Sequence, residues 1–218
     1  MKYILSIILI LFSLIGFSQE VHQQRMLDSS SFATQKIELR RRFGHNKEIP
    51  EDFELTILTA LSYFPELDST TIIFKMKKIN TSLNARPKFG SALFRRGFKR
   101  KYVVRICPPT AEKRITLDQV AFNGRVGVLG HEFNHLKDYS NRSFFGIIGR
   151  GFAYMTKKSK EKFEKEIDRR TIEIGLGWQL YDWAKFVSEE SIATEKYKVF
   201  KRAIYLESAE IREIIESN

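Results

Sequence analysis

The 218-residue chain has a single cysteine, Cys107. A lone thiol excludes an intramolecular disulfide and a cysteine-based zinc site, so any metal must be held by histidine and carboxylate. The stretch around it, Val103-Val104-Arg105-Ile106-Cys107-Pro108, has strand character, which predicts a buried structural thiol and not a nucleophile. There is no low-complexity tract and no internal repeat, and 43% hydrophobic residues place the chain in the globular class. Acidic residues are in deficit. Against 26 Asp and Glu stand 37 Lys and Arg, a net charge of +11, with basic clusters at 40–42, 95–101 and 157–162. That surplus suits an anionic membrane or cell-envelope surface, or a plainly solvated basic face.

Long apolar runs are absent but for one, residues 3–17, preceded by Lys2, with the small residues Gly16 and Ser18 at the expected cut. This pattern predicts a secretory signal peptide over 1–18. The run falls short of the roughly 20 apolar residues of a membrane span, and anchoring through an uncleaved 3–17 is the alternative. No cysteine follows the run, which argues against lipid attachment. The expected location is therefore outside the cytoplasm: periplasmic, extracellular or envelope-associated. Nucleic acid is then the least expected anionic partner. About 200 mature residues suffice for one domain with a proper core. The expected layout is an N-terminal arm or helix over 19–50 and a folded domain over 51–218.

Histidine is scarce as well. There are four, and His131 and His135 fall in one run, His131-Glu132-Phe133-Asn134-His135. Residues four apart on a helix are separated by about 40° around its axis, so both imidazoles reach one ion. Glu132 then stands beside them, placed to take a proton from a metal-bound water. The neighbours add weight. Phe122, Val126, Leu129, Phe133 and Leu136 share the back of this helix as an apolar face that calls for burial. Gly124 and Gly127 lie on the histidine side, with Gly130 just before His131. Each costs about 1 kcal/mol in a helix interior, which suggests that another backbone or a substrate comes close there. Asp118 is the expected N-cap.

Around this helix, residues 51–63 read as a helix and 70–79 as a strand. Residues 80–97 read as a long loop or hairpin, and Lys101 to Cys107 as a second strand. The apolar, glycine-punctuated stretch 140–155 reads as a core helix or a lid, with a membrane-interface segment as the other possibility.

A catalytic zinc needs a third protein ligand. Downstream, Phe163, Ile167, Thr171, Ile174 and Trp178 form a stripe about 80° wide at helical pitch. Glu164 lies roughly 60° from its centre and Glu166 nearer 100° on the other flank. Glu164 is the favoured third ligand, Glu166 the alternative, and Asp168 is placed to accept the second N–H of a ligating imidazole. H-E-F-N-H followed some thirty residues later by Glu164-Lys-Glu-Ile-Asp168 resembles the gluzincin metallopeptidases, over about residues 124–175. Ile167 stands where that family commonly has a small residue. The resemblance implies Zn2+ held by His131, His135 and Glu164, with Asp168 orienting the first histidine and Glu132 as general base. It implies an α+β, zincin-like fold: a small, mostly antiparallel sheet packed on the active-site helix and a second ligand-bearing helix. The expected function is an exported zinc-dependent hydrolase of peptide or protein substrates. The alternative is a non-catalytic metal-binding or surface-adhering protein. The strand Lys101–Ile106 is the expected substrate-pairing edge, and Tyr139, Tyr154, Tyr181 and Arg170 are the candidates to stabilise an oxyanion.

Overall fold

The computed structural model describes residues 23–111 and 114–217, and the expected signal peptide over 1–18 lies outside them. Its architecture is mixed: one four-stranded sheet and many helices. Two short helices, α1 (Ser29–Thr34) and α2 (Lys36–Phe43), precede the first strand, β1 (Lys47–Glu48). Asp28 caps α1 by accepting the N–H groups of Ser30 and Ser31, while Leu39 and Phe43 of α2 are buried.

Helix α3 (Glu54–Leu61) is mostly apolar after Glu54, and Thr56 through Leu61 are all buried, as expected of a helix packed into the core. The strands β2 (Thr71–Met76), β3 (Leu83–Pro87) and β4 (Lys101–Ile106) follow, with helix α4 (Phe89–Phe94) between β3 and β4. In β4 burial alternates, Tyr102, Val104 and Ile106 pointing into the core, the period-two pattern of a strand with one covered face.

The sheet order is β1-β2-β4-β3. Two of its three pairings are parallel, β1 with β2 and β2 with β4, and only β3 with β4 is antiparallel. The expectation of a mostly antiparallel sheet is therefore corrected. The chain leaving β2 does not fold back on it; β4 joins β2 in parallel along all six residues, from Thr71–Lys101 to Met76–Ile106. The strand β3, inside the segment read as a loop or hairpin, adds to the outer side of β4. So Lys101–Ile106 is an interior strand, and the edge nearest the site is β3.

Four more helices carry the site: α5 (Phe122–Ser140), α6 (Phe144–Ala153), α7 (Lys157–Thr171) and α8 (Gly177–Lys185). The chain ends in α9 (Glu195–Arg202) and α10 (Ser208–Ser217). Asp118 is not the cap of α5. Leu117–Gln119 is a separate 3-10 turn closed by a Thr116–Gln119 capping box, and extended backbone at Val120 and Ala121 delays the helix to Phe122. The core-helix reading of 140–155 is also corrected, since no residue of α6 is buried.

Behind α5, Val126, Leu129, Phe133 and Leu136 are fully buried. The Phe133 ring meets Phe64 edge-on at 5.5 Å and Phe74 at 6.1 Å, which docks the helix on the sheet and on the loop after α3. On the glycine side the close approach is backbone against backbone. A Cβ on Gly127 would lie 2.2 Å from the Gln179 carbonyl of α8, and one on Gly124 would lie 3.3 Å from the Trp183 nitrogen. The stripe that ran at helical pitch to Trp178 is interrupted: Gly175 has φ 92°, a conformation that favours glycine, and it turns the chain from α7 into α8. Phe163, Ile167 and Thr171 are buried, whereas Ile174 and Trp178 are only partly so.

Candidate metal centre

With α5 pinned front and back, His131 and His135 emerge one turn apart from a buried stretch. They face α7, whose Phe163, Ile167 and Thr171 are buried. The two helices are also stitched by polar contacts: Asn134 Nδ2 donates to Thr171 Oγ1 at 3.0 Å, and that hydroxyl donates to Ile167 O at 2.9 Å. This fixes the axial register in which Glu164 meets the histidines.

His135 Nε2 lies 3.1 Å from His131 Nε2 and 3.2 Å from Glu164 Oε2, and His131 Nε2 lies 3.2 Å from the same oxygen. Three lone-pair donors thus form a nearly equilateral triangle in a buried place. This His131–His135–Glu164 group could hold a metal ion. The carboxylate is Glu164, not Glu166. Glu166 turns the other way and pairs with Arg170 and, at 3.9 Å, with Arg150. Asp168 stands behind His131, its Oδ1 accepting from Nδ1 at 2.7 Å, which directs Nε2 at the centre of the triangle. On His135 the corresponding Nδ1 is buried and has no hydrogen-bond partner among the described residues.

The electrostatics follow from burial and proximity. Burial pushes the His131 imidazole down, but the hydrogen-bonded Asp168 and Glu164 carboxylates outweigh it and raise it to about 10. Burial acts upward on Glu164, and the two histidines overcome it and hold the carboxyl well below the usual range.

Glu132 is buried and lines a cavity with Val128, His131, Asp168, Lys201 and Tyr205. The last two had no local sign in the sequence, since they come from α9 and the turn after it, some seventy residues beyond His131. The Tyr205 ring centroid is 5.7 Å from that of His131, and Lys201 Nζ is 3.6 Å from the Tyr205 centroid. Asp168 holds this segment in place, since its Oδ2 accepts the Leu206 N–H at 2.9 Å. Burial pulls the Lys201 ammonium below its ordinary value, against the site carboxylates. Burial and the Glu164 and Glu132 carboxylates push the Tyr205 phenol well above its own.

The four tyrosine and arginine candidates divide evenly. Tyr139 stacks on His135 with ring centroids 6.2 Å apart, and burial, then Glu132, raises its phenol to about 12. Burial and Glu164 likewise raise the phenol of Tyr154, whose ring meets Phe163 edge-on. Tyr181 packs instead on Trp178 and Arg25. Arg170 is engaged by Asp138 and Glu166. Asp138, one turn beyond His135, is a further residue the sequence left unmarked. It is buried between Arg142, Arg150 and Arg170 and so joins α5 to α6 and α7.

Compared with known proteins, the chain matches no family model, no curated protein and no solved structure.

Proposed function

We propose that the chain is an exported zinc-dependent hydrolase of peptides with a gluzincin-like ligand set. The observation that carries this reading is the triangle of His131 Nε2, His135 Nε2 and Glu164 Oε2, with sides of 3.1 to 3.2 Å, backed by Asp168. Two imidazoles and one carboxylate suit zinc, and donors about 2.0–2.1 Å from a tetrahedral ion stand roughly 3.3–3.4 Å apart, close to the spacing of this triangle. A bound zinc would acidify water and polarise a carbonyl oxygen.

The rest falls to the protein. Asp168 keeps the His131 ring in one orientation. Glu132, lining the cavity beside the triad, takes a proton from the attacking water and delivers it to the departing amine. Tyr205 and Lys201 line the same cavity, where a phenol or ammonium can donate to a carbonyl oxygen as it gains charge. Leu180, Trp183 and Val187 make another wall of the cavity apolar, which suits a hydrophobic side chain next to the scissile bond. The edge strand β3 enters the lining at Leu83 and is the sheet edge that an extended substrate could join.

The test is metal analysis with a peptide-cleavage assay on the wild type and on Glu132→Gln. The expected result is one equivalent of zinc in both proteins, chelator-sensitive cleavage by the wild type and at least a 100-fold loss in the variant. Full activity in Glu132→Gln would discard the mechanism. Zinc without turnover on any peptide would favour a second reading, a non-catalytic metal-binding protein. The net charge of +11 and the exposed apolar residues Phe145, Phe152 and Met155 give that reading its support.

A further inference from the structure

Helix α6 is built the wrong way out for a water-facing helix. Its one arginine, Arg150, points inward to Asp138 at 2.8 Å and lies over the Phe163 ring at 4.2 Å. Its apolar residues point outward. Phe145 is 81% exposed, Ile148 44% and Phe152 61%, and Met155 in the next turn is 72% exposed. At helical pitch Phe145, Ile148 and Phe152 fall within about 60° of one another, so they form one stripe, and Met155 is exposed just beyond the end of the helix.

Helix α4 repeats the feature, with Phe89 80%, Leu93 46% and Phe94 84% exposed. The two helices are joined by one guanidinium. Arg100 donates through Nε to Arg95 O, just past α4, at 2.8 Å. Through Nη1 it donates to Tyr139 O at 3.0 Å and to Arg142 O, just before α6, at 2.7 Å.

Charge is distributed to match. Residues 69–111 contain eleven Lys and Arg and no Asp or Glu, and residues 139–160 contain five and none. These two stretches carry α4 and α6. Lys88, Arg95, Arg96, Lys99, Lys157 and Lys158 are exposed, and among the described residues none has a carboxylate within 4.0 Å. Exposed phenylalanines rimmed by unpaired cations match an anionic bilayer. The rings enter the boundary between headgroups and acyl chains, and the cations meet phosphates. A second copy would bring like charges together. Nucleic acid would use the cations and leave the apolar stripe in water.

We propose that α4 and α6 form one docking face for an anionic phospholipid membrane. This does not depend on the chemistry at His131, although it would hold the metal centre close to the bilayer, because Tyr154 at the end of α6 packs on Phe163 beside His135.

The test is co-sedimentation of the full chain with vesicles of phosphatidylglycerol and phosphatidylethanolamine, and separately of phosphatidylcholine. Wild type is compared with Phe145→Ser/Phe152→Ser and with Arg95→Glu/Arg96→Glu. All variants retain residues 1–18, so the leader's own affinity cancels in the comparison. Wild type is expected to bind the anionic vesicles in a salt-sensitive way. The serine pair should weaken binding on the order of 10- to 100-fold and the glutamate pair about tenfold or more, with melting temperatures unchanged because all four positions are exposed. Equal binding by wild type and the serine pair, or equal binding to both vesicle types, would overturn the proposal. So would a lipid-free dimer that the serine pair dissolves, which would make the face a self-association surface.

Discussion

Asp168 uses both carboxylate oxygens at once: Oδ1 accepts from His131 Nδ1 at 2.7 Å and Oδ2 from the Leu206 backbone at 2.9 Å. One buried side chain thus orients a histidine of the candidate metal site and anchors the segment that carries Tyr205. The two roles separate by substitution. Asp168→Asn keeps a carbonyl acceptor for one partner and removes the charge that holds the imidazole. Metal affinity should fall by roughly 10- to 100-fold, measured by competition with a chromogenic chelator. An unchanged affinity would mean that Asp168 is structural only.

Glu164 and Glu166 are two residues apart and have opposite surroundings, so they form a matched pair of tests. Glu164→Gln should lose more than about 100-fold in metal affinity, beyond the effect of a residue that only orients a ligand. Glu166→Gln removes an exposed partner of Arg170 and should leave metal content at the wild-type level. Elemental analysis after dialysis reads both, and retention of metal by Glu164→Gln would exclude it from the ligand set.

Asp138 should contribute to the acid sensitivity of the fold. Burial raises its carboxyl, but the Arg142 and Arg150 guanidiniums overcome this and hold it well below its ordinary value of 3.8. A depressed folded-state pKa adds stability that is complete above the unfolded value and is lost as pH falls through the folded one. Asp138→Asn should therefore cost on the order of 3–5 kcal/mol at neutral pH. The gap from wild type should close below about pH 4, as urea denaturation at stepped pH would reveal. A gap that stays constant with pH would show that the cost is steric.

Two glycine substitutions should move stability in opposite directions. Gly127→Ala forces a methyl against the Gln179 carbonyl, 2.2 Å away, and should destabilise by about 1–3 kcal/mol or more. Gly149→Ala, in exposed α6 with nothing within 4 Å of the added carbon, should stabilise by roughly 0.5–1 kcal/mol. Thermal denaturation separates the two, and a neutral Gly127→Ala would refute the close approach of α5 and α8.

Much of the site was legible along the chain because helices are local. The apolar back of α5, the pairing of His131 with His135, the glycines that admit a neighbouring backbone, and the preference for Glu164 over Glu166 all follow from angular position at helical pitch. The same logic failed where pitch was broken. The regular helix ends at Thr171, and the irregular turn through Gly175 takes Ile174 and Trp178 off the stripe. Extended backbone at Val120 and Ala121 separates Asp118 from the helix it was expected to cap. The stretch of α6, read as a core helix, a lid or a membrane-interface segment, is no core helix: Arg150 pairs inward with Asp138 and the apolar residues face out.

By itself the sequence determined which residues could hold a metal and their order along α5 and α7, since one cysteine and four histidines leave few ways to hold one. Only the tertiary structure decided what stands opposite them: Tyr205 and Lys201 across the cavity, β3 rather than β4 at the sheet edge, and Asp138 between three arginines. These are contacts between residues distant in sequence. They follow from how the strands pair and how α5 and α8 pack, and no local periodicity encodes either.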